Sequence, residues 1–150
     1  MQSTKEKNLI AFRSGLRDGI PIALGYLAVS FSLGIAAKNA GLSVFQSFIV
    51  SALCNASAGE YAGITLIAAK AAYIEIAIMT FIANARYMLM TCALSQRISP
   101  DTNLFHRMLM GFYTTDELFA ISISKPGTVN PFYMYGAIAV AAPGWAAGTA

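Results

Sequence analysis

Five long hydrophobic segments occupy most of the chain. They cover residues 19–37, 43–69, 71–94, 104–124 and 131–150. Each approaches or exceeds the ~18–20 apolar residues that a helix needs to cross the hydrocarbon core of a bilayer. Backbone groups in lipid find no water, so a spanning segment must satisfy its own hydrogen bonds as a helix. The sequence therefore predicts an all-α, polytopic transmembrane helical bundle.

The composition agrees with a membrane protein. Hydrophobic residues make up 57% of the chain and charged residues only 11%, whereas soluble domains carry about 25% charged residues. No segment is polar enough for a soluble domain, and we expect a lipid bilayer and no nucleic acid as partner. Basic residues concentrate in residues 1–18, which we interpret as a cytosolic N-terminal tail. Residues 19–150 form the predicted transmembrane domain, which we expect to be truncated at its C-terminal end because Ala150 ends an apolar run.

The segment 43–69 has the wrong length for a simple span. As one straight helix it would measure roughly 40 Å, against ~30 Å for a bilayer core. Its middle reads NASAGE at residues 55–60, a cluster of small and polar residues. We predict an interrupted or re-entrant helix here, as in the broken helices that form the substrate sites of secondary transporters. Close helix packing through small residues is the alternative interpretation.

The distribution of basic residues leaves two topologies open. If 43–69 is re-entrant, Arg97 and Arg107 lie on the inner side and Lys125 lies on the outer side. If 43–69 crosses once, these assignments are reversed. Both versions place the N-terminus inside and balance equally under the positive-inside rule.

Charged residues lie deep within two of the apolar segments. Arg86 falls inside 71–94, while Asp116 and Glu117 fall inside 104–124. If these two segments form an antiparallel hairpin of straight helices, Arg86 lies about 12 Å and Asp116 about 18 Å from the shared end. Asp116 or Glu117 is then the expected counter-ion of Arg86. The pair is interpreted as part of a transport site, and a purely structural salt bridge is the alternative.

Polar residues within apolar stretches define a candidate substrate site. An α-amino acid suits such a set, because its carboxylate seeks a guanidinium or free helix N–H groups, its ammonium seeks a carboxylate, and an aliphatic side chain seeks apolar neighbours. We assign Asp116 to the site and expect Glu117 to brace a neighbouring helix or carry a proton. The predicted substrate-binding residues are Asn55, Ser57, Gly59, Glu60, Asn84, Arg86, Thr115, Asp116 and Glu117.

Four sequence elements in order resemble the AzlC family of branched-chain amino-acid permeases. They read RDGIP at 17–21, SAGEYAG at 57–63, NARY at 84–87 and TDELFA at 115–120. The resemblance covers about residues 13–150. It implies export of branched-chain or similar apolar amino acids by a multi-pass protein of the bacterial inner membrane. It also implies a much smaller AzlD-like membrane subunit as partner.

Other classes of function fit the sequence less well. An enzyme would need an activated nucleophile or a metal, but His106 is the single histidine and no HExxH motif is present. Cys54 and Cys92 lie in apolar segments without a CxxC motif and are interpreted as packing thiols. We expect no enzyme activity, cofactor or metal. An ion channel or a non-transporting membrane assembly subunit remains the alternative function.

Overall fold

The computed structural model describes residues 4–150, and this part of the chain is helical with no strand. Short apolar helices alternate with breaks of a few residues, and two longer helices lie near the ends of the sequence. The prediction of an all-α fold is confirmed. The helices are α1 Thr4–Asn39, α2 Val44–Cys54, α3 Ser57–Ala68, α4 Tyr73–Asn84, α5 Arg86–Ser95, α6 Leu104–Phe112, α7 Asp116–Ile123 and α8 Pro131–Thr149.

The chain divides into two compact units. Unit 1 comprises the residues up to Ile22 together with Tyr87–Ala141, and unit 2 comprises Ala23–Arg86 together with Ala142–Ala150. The boundaries fall inside α1 and α8, close to Pro21 in α1 and Pro143 in α8. Each long helix thus contains a proline, which removes one helix hydrogen bond, beside the boundary between the units. The buried core of unit 1 is formed by Leu94, Ile98, Met110, Val129, Tyr133 and Met134.

Glycine motifs bring α1 and α8 close together within each unit. The sequence has the pattern GxxxG at 15–19 in α1 and at 144–148 in α8. In unit 1, a Cβ on the first glycine of the α1 motif would overlap the carbonyl oxygen of Tyr133. In unit 2, a Cβ on the last glycine of the α8 motif would overlap the hydroxyl of Ser30. Small residues thus permit the close backbone approach that is common between membrane helices.

One helix of the described part, α1, is long and apolar enough to cross a membrane by itself. A second candidate span exists if α4 and α5, which meet at an angle of 45°, are counted as one bent helix. The predicted tail 1–18 belongs to α1 from Thr4 onward, and this helix continues without a break to Asn39. Met1–Ser3 lie outside the described residues, and the cytosolic placement of the tail stays a prediction.

Three of the predicted apolar segments are broken. The interruption expected in 43–69 is present, because α2 ends at Cys54 and α3 begins at Ser57. The interpretation of 71–94 and 104–124 as straight helices was wrong. The first bends at Ala85 between α4 and α5, and the second breaks at residues 113–115 between α6 and α7. The depth of about 18 Å assigned to Asp116 is therefore also wrong, because it assumed an unbroken helix.

The hydrogen bonds of Arg97 disagree with both predicted topologies. Its guanidinium donates to the carbonyl oxygens of Lys125 at 2.6 Å and Gly127 at 2.9 Å, and its own carbonyl accepts from the Val129 N–H at 2.7 Å. Asn130 donates at 3.0 Å to Asn8, near the start of α1. Arg97 and Lys125 therefore lie at the same end of unit 1, whereas each predicted topology put them on opposite sides.

Related contacts place the start of α6 and the end of α7 at one end of unit 1. Arg107, in the first turns of α6, donates to the carbonyl oxygens of Ser99 at 2.8 Å and Thr102 at 3.1 Å. The beginning of α6 is thereby held beside the loop that also contacts Lys125, just after α7. At 9 and 8 residues, α6 and α7 are each too short to span a bilayer. Residues 104 and 124 therefore lie toward the same end of unit 1.

Candidate substrate site

The break between α2 and α3 is built by Asn55 and Ala56. Asn55 adopts the left-handed conformation, with φ 43° and ψ 35°, and its N–H donates to the Ser51 carbonyl. Asparagine tolerates this conformation better than most residues and commonly ends helices in it. Ala56 is extended and precedes α3 without any side-chain cap. The first N–H groups of α3 therefore have no hydrogen-bond acceptor from a capping side chain.

Glu60 lies in the first turn of α3 and is 1% exposed. Its Oε2 accepts a hydrogen bond of 2.8 Å from the indole Nε1 of Trp145 in α8. Its Oε1 is buried and has no hydrogen-bond partner among residues 4–150. The position of Glu60 in the first turn of α3 favours a negative charge, because the helix dipole is positive at that end. One carboxylate oxygen is therefore anchored, and the other is a buried acceptor without a hydrogen bond in the described residues.

Asn84, the last residue of α4, lies against the same break. A Cβ on Gly59 would come within 2.6 Å of the Asn84 Cγ, so the amide occupies the space that a side chain at residue 59 would need. The Asn84 Nδ2 approaches the Cys54 Sγ at 3.8 Å. The Asn84 Oδ1 is buried and makes no hydrogen bond within the described part of the chain. Like the Glu60 Oε1, it is an acceptor without a donor.

Two hydroxyl groups adjoin the Glu60 carboxylate. Ser51 in α2 donates a hydrogen bond of 3.0 Å to Thr149 in α8, and both side chains are buried. Both also border Glu60. Thr149 forms part of the wall of an open groove of about 1270 Å³ in unit 2. The groove is lined mainly by apolar residues of α1, including Leu24, Leu27, Phe31 and Ile35.

The structure brings four of the predicted site residues together in unit 2. Asn55, Gly59, Glu60 and Asn84 surround the α2–α3 break. Ser57 is half-buried at the first position of α3, and Arg86 is exposed at the first position of α5. The predicted contact of Arg86 with substrate stays a prediction.

The other three predicted residues belong to unit 1, at the start of α7. The Thr115 hydroxyl caps this helix by accepting from the Leu118 N–H at 3.3 Å. Asp116 is half-buried and Glu117 is exposed in the first turn. The predicted pairing of Arg86 with Asp116 or Glu117 stays a prediction.

Sequence reasoning missed Ser51, Trp145 and Thr149. Trp145 is the single tryptophan of the chain, and a buried indole N–H usually needs an acceptor. That rule indicates a polar partner but not its identity. Ser51 precedes Asn55 by one helical turn and therefore lies on the same face of α2. Thr149 is remote in sequence, so its contact with Ser51 required the fold.

The fold is that of a helical membrane protein in which buried polar side chains gather at a broken helix. The model of the AzlC protein family matches residues 21–150, and the chain belongs to this family. The prediction of the family is confirmed, and with it a location in a membrane and a role related to membrane transport. No solved structure matches the chain.

Several curated proteins are similar to the chain. An uncharacterized membrane protein of Archaeoglobus fulgidus is 27% identical over 139 residues, which is 93% of this chain and 60% of that protein. The inner membrane protein YgaZ of Escherichia coli is 31% identical over 115 residues, which is 76% of this chain and 46% of YgaZ. An uncharacterized membrane protein of Helicobacter pylori is 28% identical over 114 residues. The chain thus spans about half the length of these relatives.

Proposed function

We propose that the protein transports branched-chain or similar apolar amino acids out of the cell, as the large subunit of a two-component permease of the bacterial inner membrane. The observation that carries this proposal is the open Oε1 of Glu60, a buried carboxylate oxygen at the uncapped start of α3. A buried acceptor without a donor is costly. A ligand that supplies donors at this point removes that cost.

An amino-acid zwitterion matches the groups around the break. Its ammonium has donors for the two open acceptors, the Glu60 Oε1 and the Asn84 Oδ1. Its carboxylate suits the N–H groups in the first turn of α3, where the helix dipole also favours an anion. Arg86 is the proposed second contact of the carboxylate, and Ser57 a further polar contact.

The preference for apolar side chains is supported by the groove beside the site. Its apolar wall of α1 residues reaches Thr149, which borders the Glu60 carboxylate. Most of the groove wall is apolar, so burying a polar side chain there would cost more hydration than burying an aliphatic one. An aliphatic side chain has no hydrogen bonds with water to lose, which favours leucine, isoleucine and valine over polar amino acids.

A small AzlD-like membrane subunit is the proposed partner. Large apolar side chains are exposed on several helices, including Phe45 at 72%, Tyr73 at 91% and Leu89 at 74%. Short, broken helices also leave backbone groups that must be shielded from lipid by other protein. A small multi-span subunit would cover such surfaces. Expression of the complete protein with and without the small subunit tests this proposal, and full transport by the complete protein alone would refute it.

Counterflow of labelled leucine tests the transport proposal in liposomes that contain the complete complex. We expect saturable counterflow in the wild type and at least a hundredfold loss in Glu60→Gln, which loses the charge that binds the ammonium. Glu75→Gln is the matched control, since Glu75 is an exposed carboxylate in the first turn of α4. Conductance without counterflow would indicate a channel. The absence of both would indicate an assembly subunit.

A further inference from the structure

We propose that Glu60 couples transport to protons, because its carboxylate binds either a proton or the ammonium group of the substrate, and never both. The inference rests on the proposed transport function and names the coupling ion for the same site. Each amino acid exported would then be exchanged for one proton that moves inward.

The two carboxylate oxygens of Glu60 differ in their contacts, although the Ser51 and Thr149 hydroxyls lie beside the group. The Trp145 indole holds Oε2 at 2.8 Å, and this N–H can donate to a charged carboxylate or to the carbonyl oxygen of a neutral acid. The bond therefore persists in both states. Oε1 has no partner among the described residues, so it is the atom at which the proton and the ammonium compete.

Among the described residues, the side chains recorded as partners of this carboxylate are uncharged. These groups are Trp145 and Thr149 in α8 and Ser51 in α2. Two titratable groups of neighbouring helices adjoin this cluster: the Cys54 thiol in α2, which interacts with Glu60, and the Tyr26 phenol in α1, whose ring packs on Trp145 at 5.1 Å. Both are neutral in their ordinary protonation state at pH 7. They can donate hydrogen bonds but cannot neutralise the charge.

A buried carboxylate without a cation is unstable, because burial removes its hydration. Protonation of Oε1 removes the charge, and an ammonium at Oε1 compensates it. When the substrate binds, the Glu60 O–H bond breaks, the electron pair stays on Oε1, and the proton leaves to water. When the substrate departs, Oε1 takes up a proton and the cycle closes. One net positive charge moves inward for each zwitterion exported, so the exchange is electrogenic.

Proton release on leucine binding tests this exchange. The purified complete complex is placed in weakly buffered solution with a pH indicator, and leucine is added at several pH values. Below the apparent pKa of the site, we expect one proton released for each leucine bound. We also expect the Kd for leucine to rise about tenfold for each unit by which the pH falls. Glu75→Gln should behave as the wild type does.

Two variants of Glu60 link the released proton to this residue. Glu60→Gln should release no proton, and Glu60→Asp, which keeps a carboxyl group one methylene shorter, should shift the pH midpoint of leucine binding. Proton release by Glu60→Gln, or an unmoved midpoint in Glu60→Asp, would overturn the inference. Leucine binding by the wild type that is independent of pH and releases no proton would also overturn it while leaving the transport function intact. Failure of the wild type to bind leucine would instead contradict the proposed function.

Discussion

The two units each contain an apolar segment broken near its middle, and the two breaks differ in how their polar groups are hydrogen-bonded. In unit 1, the Thr115 hydroxyl caps α7 and the Thr114 hydroxyl donates to the Met110 carbonyl at 2.7 Å. In unit 2, α3 has no side-chain cap, and the Glu60 Oε1 beside it is open. At the first break, backbone groups are hydrogen-bonded by the side chains of Thr114 and Thr115. The second keeps buried acceptors without a hydrogen bond and a helix start without a side-chain cap, which is why we propose the substrate site in unit 2.

The largest effect is expected from Gly59→Ala. The new methyl group would overlap the Asn84 side chain, and overpacking of this kind costs ~1–3 kcal/mol. Because the Asn84 amide is itself part of the site, we expect transport to be lost. Leucine counterflow by the complete complex is the measurement.

Gly63→Ala is the matched control in the same helix. A Cβ on Gly63 meets only the Thr80 hydroxyl oxygen at 3.5 Å, an ordinary contact. We expect counterflow close to that of the wild type. Equal tolerance at both glycines would show that the packing of Asn84 against α3 is not needed for transport.

Asp116 and Glu117 determine whether the break in unit 1 also binds substrate. The sequence predicts that Asp116→Asn abolishes substrate-dependent transport, whereas Glu117→Gln retains binding and alters stability or pH dependence. Adjacent helical residues point about 100° apart, so one pocket cannot use both equally. Binding and counterflow of both variants are measured. A fully active Asp116→Asn would restrict the site to unit 2, and the reverse pattern would exchange the two assignments.

Trp145→Phe removes the donor to the Glu60 Oε2 and keeps an aromatic ring against Tyr26. This hydrogen bond contributes ~1.5–3 kcal/mol when Glu60 is charged and ~0.5–1.5 kcal/mol when it is neutral. Leucine binding should therefore weaken by the difference of ~1 kcal/mol, or about fivefold. Isothermal titration with the purified complex measures the change. An unaltered Kd would show that the anchored oxygen of Glu60 does not need its indole donor.

The smallest effect on binding is expected from Thr115→Ala. Loss of this N-cap should lower the free energy of unfolding by ~1 kcal/mol and change the Kd for leucine by less than about twofold. Thr115→Ser keeps the hydroxyl and should restore the thermal stability. Lost binding at unchanged stability would instead place Thr115 in the substrate site.

The sequence predicts local breaks better than distant contacts. The break at Asn55 was predicted because small and polar residues interrupt an apolar run. The start of α7 was missed, although Thr115 followed by Asp116 and Glu117 is a common helix-start pattern. Its apolar surroundings favoured a continuous span. The bend at Ala85 involves neither proline nor glycine, so no local signal indicated it.

Contacts between remote segments could not be derived from the sequence. The partners of Glu60 come from α8, which the pattern of apolar residues predicts only as a further helix. The contact of Arg97 with the carbonyl oxygens after α7 shows that the chain before α6 and the chain after α7 lie at the same end of unit 1. Counting basic residues could not reveal this, because both predicted topologies assumed that 104–124 crosses the bilayer.

The distance from bound leucine to Glu60 tests the assignment of the site most directly. Solid-state NMR on the complete complex, with ¹³C-labelled glutamate carboxyl groups and ¹⁵N-labelled leucine, measures the separation of the ammonium nitrogen from a carboxyl carbon. We expect one carboxyl carbon within about 4 Å of the nitrogen, as an ammonium–carboxylate contact requires. This signal should vanish in Glu60→Gln and persist in Glu75→Gln and Glu117→Gln. Its loss in Glu117→Gln, with retention in Glu60→Gln, would contradict the account and assign the site to unit 1.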